Sequence, residues 1–270
     1  MSGPKFGFLG GGQMATAIAR GTILAGIATD AEIAFCDTNV DQGKILAQKF
    51  PKSALLSSAD ELFTKCSKII LAVKPNVLLD MSSQLKTLIT SDHLLVSIAA
   101  GVSLGKLAAN LGTERLIRVM PNTPCQSLEG ASGIAIGSQA TAADYEWCKS
   151  IFEAVGTVVQ VSDEQLHGVT GVSGSGPAYV LMMIEALSDG GVMAGLSRSA
   201  ALQLATQTVL GAAKMVQETG IHPAILREQV TSPGGTTIAA LSTMERAGFR
   251  SAVIDGVMAA VKRSKELAGS

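Results

Sequence analysis

The chain has 270 residues, of which 47% are hydrophobic and 16% charged, with a formal net charge of −1. That is material for one large or two ordinary domains, and there is no excess charge to draw a polyanion such as nucleic acid. No N-terminal segment joins a basic stretch to an apolar one. The longest uncharged run, Gln165 to Ile184, is broken by Gly168, Gly171, Gly174, Gly176 and Pro177, so neither a signal peptide nor a membrane span is expected. Cys36, Cys66, Cys125 and Cys148 lie far apart without a C-x-x-C pair, and His93, His167 and His222 are equally scattered. These spacings predict the reduced thiols of a cytoplasmic protein, no disulfide frame and no metal site.

In chain order, an apolar strand from Lys5 to Leu9 runs into Gly10, Gly11 and Gly12, which open a helix reaching about Ala25. Gly10, Gly12 and Ala15 form G-x-G-x-x-A, the pattern that lets a parallel sheet meet a dinucleotide. The first glycine turns the chain, the second admits a pyrophosphate, and the small third residue packs helix on strand. A strand from Glu32 to Asp37 and a helix from Val40 to Phe50 follow, then a strand at Ala54 to Leu56 and a helix capped from Ser58-Ala59-Asp60-Glu61. Lys68 to Val73 is a strongly apolar strand halted by Lys74-Pro75. Leu94 to Ala99 and Arg115 to Met120 repeat the theme, and Ile134 to Ile136 and Val158 to Val161 suggest edge strands around a helix at Ala142 to Ala154. Continuous apolar strands between helices imply an α/β, Rossmann-type doubly wound parallel sheet, here spanning residues 1–163.

From about Asp163 onward only helical stretches are expected, making residues 164–270 an all-helical domain. Ser199 to Ala213 has no charged residue, and Gly176 to Ala194 has only Glu185 and Asp189. Helices this apolar need cover that about a hundred residues supply poorly alone, so a subunit interface is expected.

Candidate ligand-facing residues follow from strand ends. Asp37, at the end of the second strand, suits a ribose 2′-hydroxyl and disfavours a 2′-phosphate, which points to NADH; it also suits a turn or a helix cap, and Thr38, Asn39 and Lys44 could still receive a phosphate. The loops Ala72-Val73-Lys74-Pro75-Asn76, Ala99 to Val102 and Met120 to Pro124 lie at the carboxyl ends of later strands. Lys74 suits an anion or plain solvation, and Asn122 a ring, a ribose or a turn. In the helical half, Ser173 to Tyr179 and Ser232 to Thr237 each set small residues and hydroxyls before a helix, where backbone N–H groups face an anion. Neither loop contains His, Lys, Asp or Glu. A carbonyl substrate usually needs such a proton donor, whereas an imine can arrive protonated and needs mainly orientation.

The runs Val169-Thr-Gly-Val-Ser-Gly-Ser-Gly-Pro-Ala-Tyr179, Ala186-Leu-Ser-Asp-Gly-Gly191, Leu210-Gly-Ala-Ala-Lys-Met215 and Val230-Thr-Ser-Pro-Gly-Gly-Thr-Thr-Ile238 closely resemble pyrroline-5-carboxylate reductases. The glycine loop, A-V-K-P, A-A-G-V and M-P-N-T-P match in the same order, so the resemblance covers almost the whole chain. It implies hydride transfer from NADPH or NADH to the C=N bond of 1-pyrroline-5-carboxylate, giving L-proline in the last step of proline biosynthesis. It further implies a homodimer or larger homo-oligomer built on the helical domain. By resemblance the cofactor lies against Leu9, Gly10, Gly11, Gly12, Gln13 and Met14 and against Ala72, Val73, Lys74 and Pro75. The substrate lies against Ser175, Gly176, Gly235, Thr236 and Thr237, and Thr237 is the catalytic residue that orients the ring nitrogen. Asp37 is a departure, since many members carry serine there.

Two other readings predict different features. A β-hydroxyacid dehydrogenase needs a lysine acid/base in the helical domain, and none occurs between Gly176 and Lys214. A non-catalytic dinucleotide sensor needs no anion pocket.

Overall fold

The computed structural model describes residues 3–269. Eight strands form one sheet in the order β3-β2-β1-β4-β5-β6-β7-β8, with β1 at Phe6–Leu9, β2 at Ile33–Cys36, β3 at Ala54–Leu56, β4 at Lys68–Leu71, β5 at Leu94–Ser97, β6 at Leu116–Met120, β7 at Gly130–Ile136 and β8 at Gly156–Gln160. Every neighbouring pair is parallel except β6–β7. Helices α1 (Gln13–Leu24), α2 (Val40–Lys49), α3 (Ala59–Lys65), α4 (Pro75–Leu88), α5 (Leu104–Leu111) and α6 (Ala142–Glu153) cover the sheet.

Strand alternation divides the apolar residues between the two faces. Phe6 and Phe8 join Ile18, Phe35, Val96 and Phe152 on one face, while Leu9 joins Leu62, Ile69, Leu71 and Leu95 on the other. The Phe8, Phe35 and Phe50 rings stack in series, with centroids 5.2 and 5.3 Å apart. Gly7 is needed for α3 to lie close, since a Cβ there would come 2.4 Å from Leu62 Cδ1.

One sequence expectation is corrected here. β7 is neither short nor at an edge: it begins at Gly130 and lies between β6 and β8, antiparallel to β6. Its first four residues, Gly-Ala-Ser-Gly, look like a loop because apolar bulk is missing. The bulk is excluded by packing, because a Cβ on Gly133 would meet Leu166 and Val169 side chains within 3 Å.

Below the sheet's amino ends, Asp144 closes a capping box with Thr141 and accepts two bonds at 2.9 Å from the Arg115 guanidinium. Burial pushes the Asp144 carboxyl up, but Arg115 and the Thr141 backbone N–H outweigh it and bring it down to about 2. A carboxyl depressed in the fold stabilises it above its unfolded value, and that stability is lost as pH falls through the folded one. We therefore expect about 2 kcal/mol to disappear between about pH 4 and about pH 2. Urea unfolding across that range should show the loss in the native protein and not in Asp144→Asn.

By compactness, residues 3–175 with 259–269 form a sheet-bearing unit and residues 176–258 a helical unit. The sheet unit includes α7 (Leu166–Val169), a π-helical turn at Thr170–Gly174 and the last part of α12 (Phe249–Gly269). Within it, His167 Nδ1 meets Ser264 Oγ at 2.8 Å, both side chains buried, and Lys265 pairs with Glu164. The helical unit comprises α8 (Gly176–Met193), α9 (Arg198–Thr219), α10 (Pro223–Gln229), α11 (Thr236–Arg246) and the first part of α12. Only Gly176, Ser188, Ala201, Ala205 and Leu226 are fully buried in it, while Leu181, Met182, Met193, Leu204, Ile254 and Met258 stand more than half exposed.

Candidate active-site loops

Strand order reverses between β1, flanked by β2, and β4 on its other side, and the crevice beyond their carboxyl ends is where open α/β sheets take ligands. Leu9 to Met14 and Ala72 to Pro75 come together there. The Ala72 N–H donates to the Leu9 carbonyl at 2.8 Å. Gly10 adopts φ +96°, and a Cβ on it would sit 2.9 Å from the Ala72 backbone, so both its conformation and its clearance demand glycine. Gly12 is the N-cap of α1 and supplies no side-chain cap, and a Cβ there would meet nothing within 4 Å. The first-turn N–H groups of α1 therefore open onto free space, a cradle suited to a pyrophosphate.

Gly11 is gripped on both sides of its peptide. Its N–H donates to Asp37 Oδ2 at 2.7 Å, and its carbonyl accepts Gln42 Nε2 at 2.5 Å. The other Asp37 oxygen accepts the Asn39 N–H at 2.8 Å. Asn39, not Asp37, caps α2, its side-chain oxygen accepting from Asp41 and Gln42 N–H groups. Gly11 thus gives its amide to Asp37, leaving Gly12, Gln13 and Met14 as the loop's anion donors. Nothing in the local sequence marks Gln42, whose partner lies 31 residues away. Lys74, exposed, is the N-cap of α4, with Pro75 at the helix start and no side-chain cap.

Ser173 to Tyr179 differs from its expected form. Rather than an open loop before a helix, Thr170–Gly174 is a π-helical turn, with the Ser175 N–H reaching the Thr170 carbonyl at 2.8 Å. Such turns occur disproportionately at functional sites. The cause is legible locally: Pro177 has no N–H for the Ser173 carbonyl four residues back. Asn122, from the Met120 to Pro124 loop, donates to that carbonyl at 3.1 Å and accepts the Ala131 N–H at 2.9 Å. Asn122 thereby staples the π-turn to β7. Ser175 is half-buried and Gly176, opening α8, is buried.

The second loop keeps its expected form. Gly234 turns at φ +67°, the Gly235 N–H donates to the Ser232 carbonyl at 3.1 Å, and Gly235 is the N-cap of α11 without a side-chain cap. A Cβ on Gly235 would fall 2.3 Å from Ser232 Oγ. Thr236 and Thr237 are the first two residues of α11, where N–H groups lack helical partners. Ser175 belongs to the sheet-bearing unit, and Gly176, Gly235, Thr236 and Thr237 to the helical one. No group of three or more His, Cys, Asp or Glu suited to a metal occurs among the described residues, and the four cysteines are free and buried. No helix among the described residues is long and apolar enough to cross a membrane.

Two family models match: pyrroline-5-carboxylate reductase dimerisation over residues 163–267, and NADP oxidoreductase, coenzyme F420-dependent, over residues 5–101. A Methanosarcina acetivorans pyrroline-5-carboxylate reductase is 47% identical over 269 residues, 99% of this chain and 99% of the relative. The solved Coxiella burnetii pyrroline-5-carboxylate reductase superposes with a TM-score of 0.92 at 34% identity, covering 98% of each chain. A Plasmodium falciparum pyrroline carboxylate reductase, solved with NADP bound, gives 0.87 at 33% identity over 99% of each chain. Identity at this level along the full length settles descent: the chain belongs to the pyrroline-5-carboxylate reductase family.

Proposed function

We propose that the protein reduces 1-pyrroline-5-carboxylate to L-proline with NAD(P)H, the last step of proline biosynthesis. Its full-length identity to enzymes of that name carries this reading. Residues 1–163 are assigned to the dinucleotide and residues 164–270 to substrate and dimerisation. Bound NAD(P)H supplies the hydride. Gly12, Gln13 and Met14 offer the open first turn of α1 to its pyrophosphate, and Ala72 to Pro75 border the same crevice. The substrate carboxylate is assigned to Ser175, Gly176, Gly235 and Thr236, with the uncapped N-terminus of α11 supplying donors. Thr237 orients the ring nitrogen through its hydroxyl. A protonated C=N group already carries the proton that the product amine keeps, so hydride adds at carbon and the C–N π pair becomes the nitrogen lone pair. No strong acid is needed, consistent with a loop from Ser232 to Thr237 that has no titratable side chain.

A second copy of the chain covers the apolar helical unit in this reading, making a homodimer or larger homo-oligomer. Analytical ultracentrifugation should give a mass of at least twice the 27.7 kDa chain; a monomer at micromolar concentration contradicts it. The buried, unpaired cysteines suit a cytoplasmic location. Purified protein should oxidise NAD(P)H with pyrroline-5-carboxylate and leave β-hydroxyacids untouched. Turnover of hydroxyacids alone, or of nothing, refutes the assignment.

A further inference from the structure

We propose that this enzyme discriminates in favour of NADH over NADPH, and that Asp37, seconded by Asp41, is the discriminating residue. The proposal rests on the dinucleotide reading above and goes against the NADP-bound relative. Asp37 ends β2 next to the glycine turn, where a dinucleotide places its adenosine ribose. Its carboxylate is fixed rather than free: Oδ2 accepts from Gly11 N–H and Oδ1 from Asn39 N–H. An ionised carboxylate is an acceptor at both oxygens, with lone pairs left after these two bonds. It can accept a ribose 2′-hydroxyl and must repel a 2′-phosphate. Because it also clamps Gly11, it cannot swing away without loosening the loop.

Two further observations weaken the usual ways of receiving a phosphate at this corner. The start of α2 could offer N–H groups to an anion, but the Asn39 side-chain oxygen already takes those of Asp41 and Gln42, at 2.9 and 3.2 Å. Lys44 is the only lysine or arginine between Cys36 and Ala47, and its Nζ is paired with Asp41 Oδ1 at 2.9 Å. The corner therefore presents two carboxylates, one cation already paired, and a helix start with two of its N–H groups capped. The exposed Thr38 hydroxyl and Asn39 side-chain amide stay open beside them.

Equilibrium titration of the purified apoprotein with NADH and with NADPH tests this without turnover. The native protein should bind NADH at least about tenfold more tightly, equivalent to about 1.4 kcal/mol, and kcat/KM should follow. Asp37→Ser should bring the ratio to one or below, mainly by improving NADPH. Asp41→Asn, which frees Lys44 without touching Gly11, should improve NADPH alone by a few fold. NADPH binding as tight as NADH in the native protein overturns the proposal, as does an equal loss of both cofactors in Asp37→Ser, which would leave Asp37 only a loop clamp. If native protein binds and oxidises NADPH better, this inference falls and the reductase reading stands. If it binds neither, both fall.

Discussion

Thr237→Ala is expected to lower kcat about 30-fold while changing the dissociation constant of NAD(P)H by less than about twofold. The size follows from a single hydrogen bond to a group gaining or carrying charge, worth about 2 kcal/mol. The selectivity follows from position. Thr237 is the second residue of α11, and the carbonyl four residues back belongs to Pro233, outside the helix. Thr231 and Thr243 return their hydroxyls to the carbonyls of Arg227 and Ala239, four residues back; a threonine at the helix start has no helical carbonyl to occupy it. Thr237→Ser should recover most of the lost rate, since it keeps the hydroxyl. Steady-state kinetics beside cofactor titration gives the answer, and a parallel fall in cofactor affinity with kcat unchanged would remove Thr237 from the mechanism.

Asp163→Ala is expected to cost about 3 kcal/mol of stability. Arg118 sits on β6 with 2% of its side chain exposed and donates to Asp163 Oδ1 at 2.7 Å. The other Asp163 oxygen accepts the Leu104 N–H that begins α5, at 3.0 Å. Removing the carboxylate strands a guanidinium inside the sheet unit, the arrangement that makes breaking a buried pair so much costlier than replacing it whole. The figure is taken at the low end because 28% of the Asp163 side chain is exposed. The double change Arg118→Met with Asp163→Ala should recover part of the loss. Urea unfolding followed through Trp147, the only tryptophan and a partly buried neighbour of the sheet core, reads this unit directly. A loss under about 1 kcal/mol would mean that water replaces Asp163 at Arg118.

Elements that bury both faces are plain in the sequence, because β1, β2, β4 and β5 are largely apolar runs punctuated by Gly, Pro and Asp, and β6 is one but for Arg118. β7 was harder. Gly133 is imposed by Leu166 and Val169, more than thirty residues ahead in the chain, and Gly130 by Cys125 and Val155, so the local pattern reads as loop. The π-turn at Thr170–Gly174 is foreshadowed by Pro177, but the group that takes up the freed Ser173 carbonyl, Asn122, lies 51 residues earlier. At the site, G-x-G-x-x-A located the crevice from sequence alone. The clamp on Gly11 by Asp37 and Gln42 depends on side chains 26 and 31 residues away, and no periodicity reports it. Asp37 is visible as a strand-end acid; that its oxygens are tied down, that Asn39 caps two neighbouring N–H groups and that Asp41 pairs with Lys44 is not. The threonine at 237 came from family resemblance rather than from composition or spacing, since a hydroxyl at a helix start is usually a cap.

The central claim is hydride delivery to the C=N carbon of pyrroline-5-carboxylate. Turnover of the purified protein with nicotinamide cofactor deuterated at the transferring position of C4, followed by mass spectrometry of the product, tests it most directly. The account predicts L-proline heavier by one deuterium, located on the carbon that had been doubly bonded to nitrogen. Proline free of deuterium, or no proline while the cofactor is still oxidised, would contradict it.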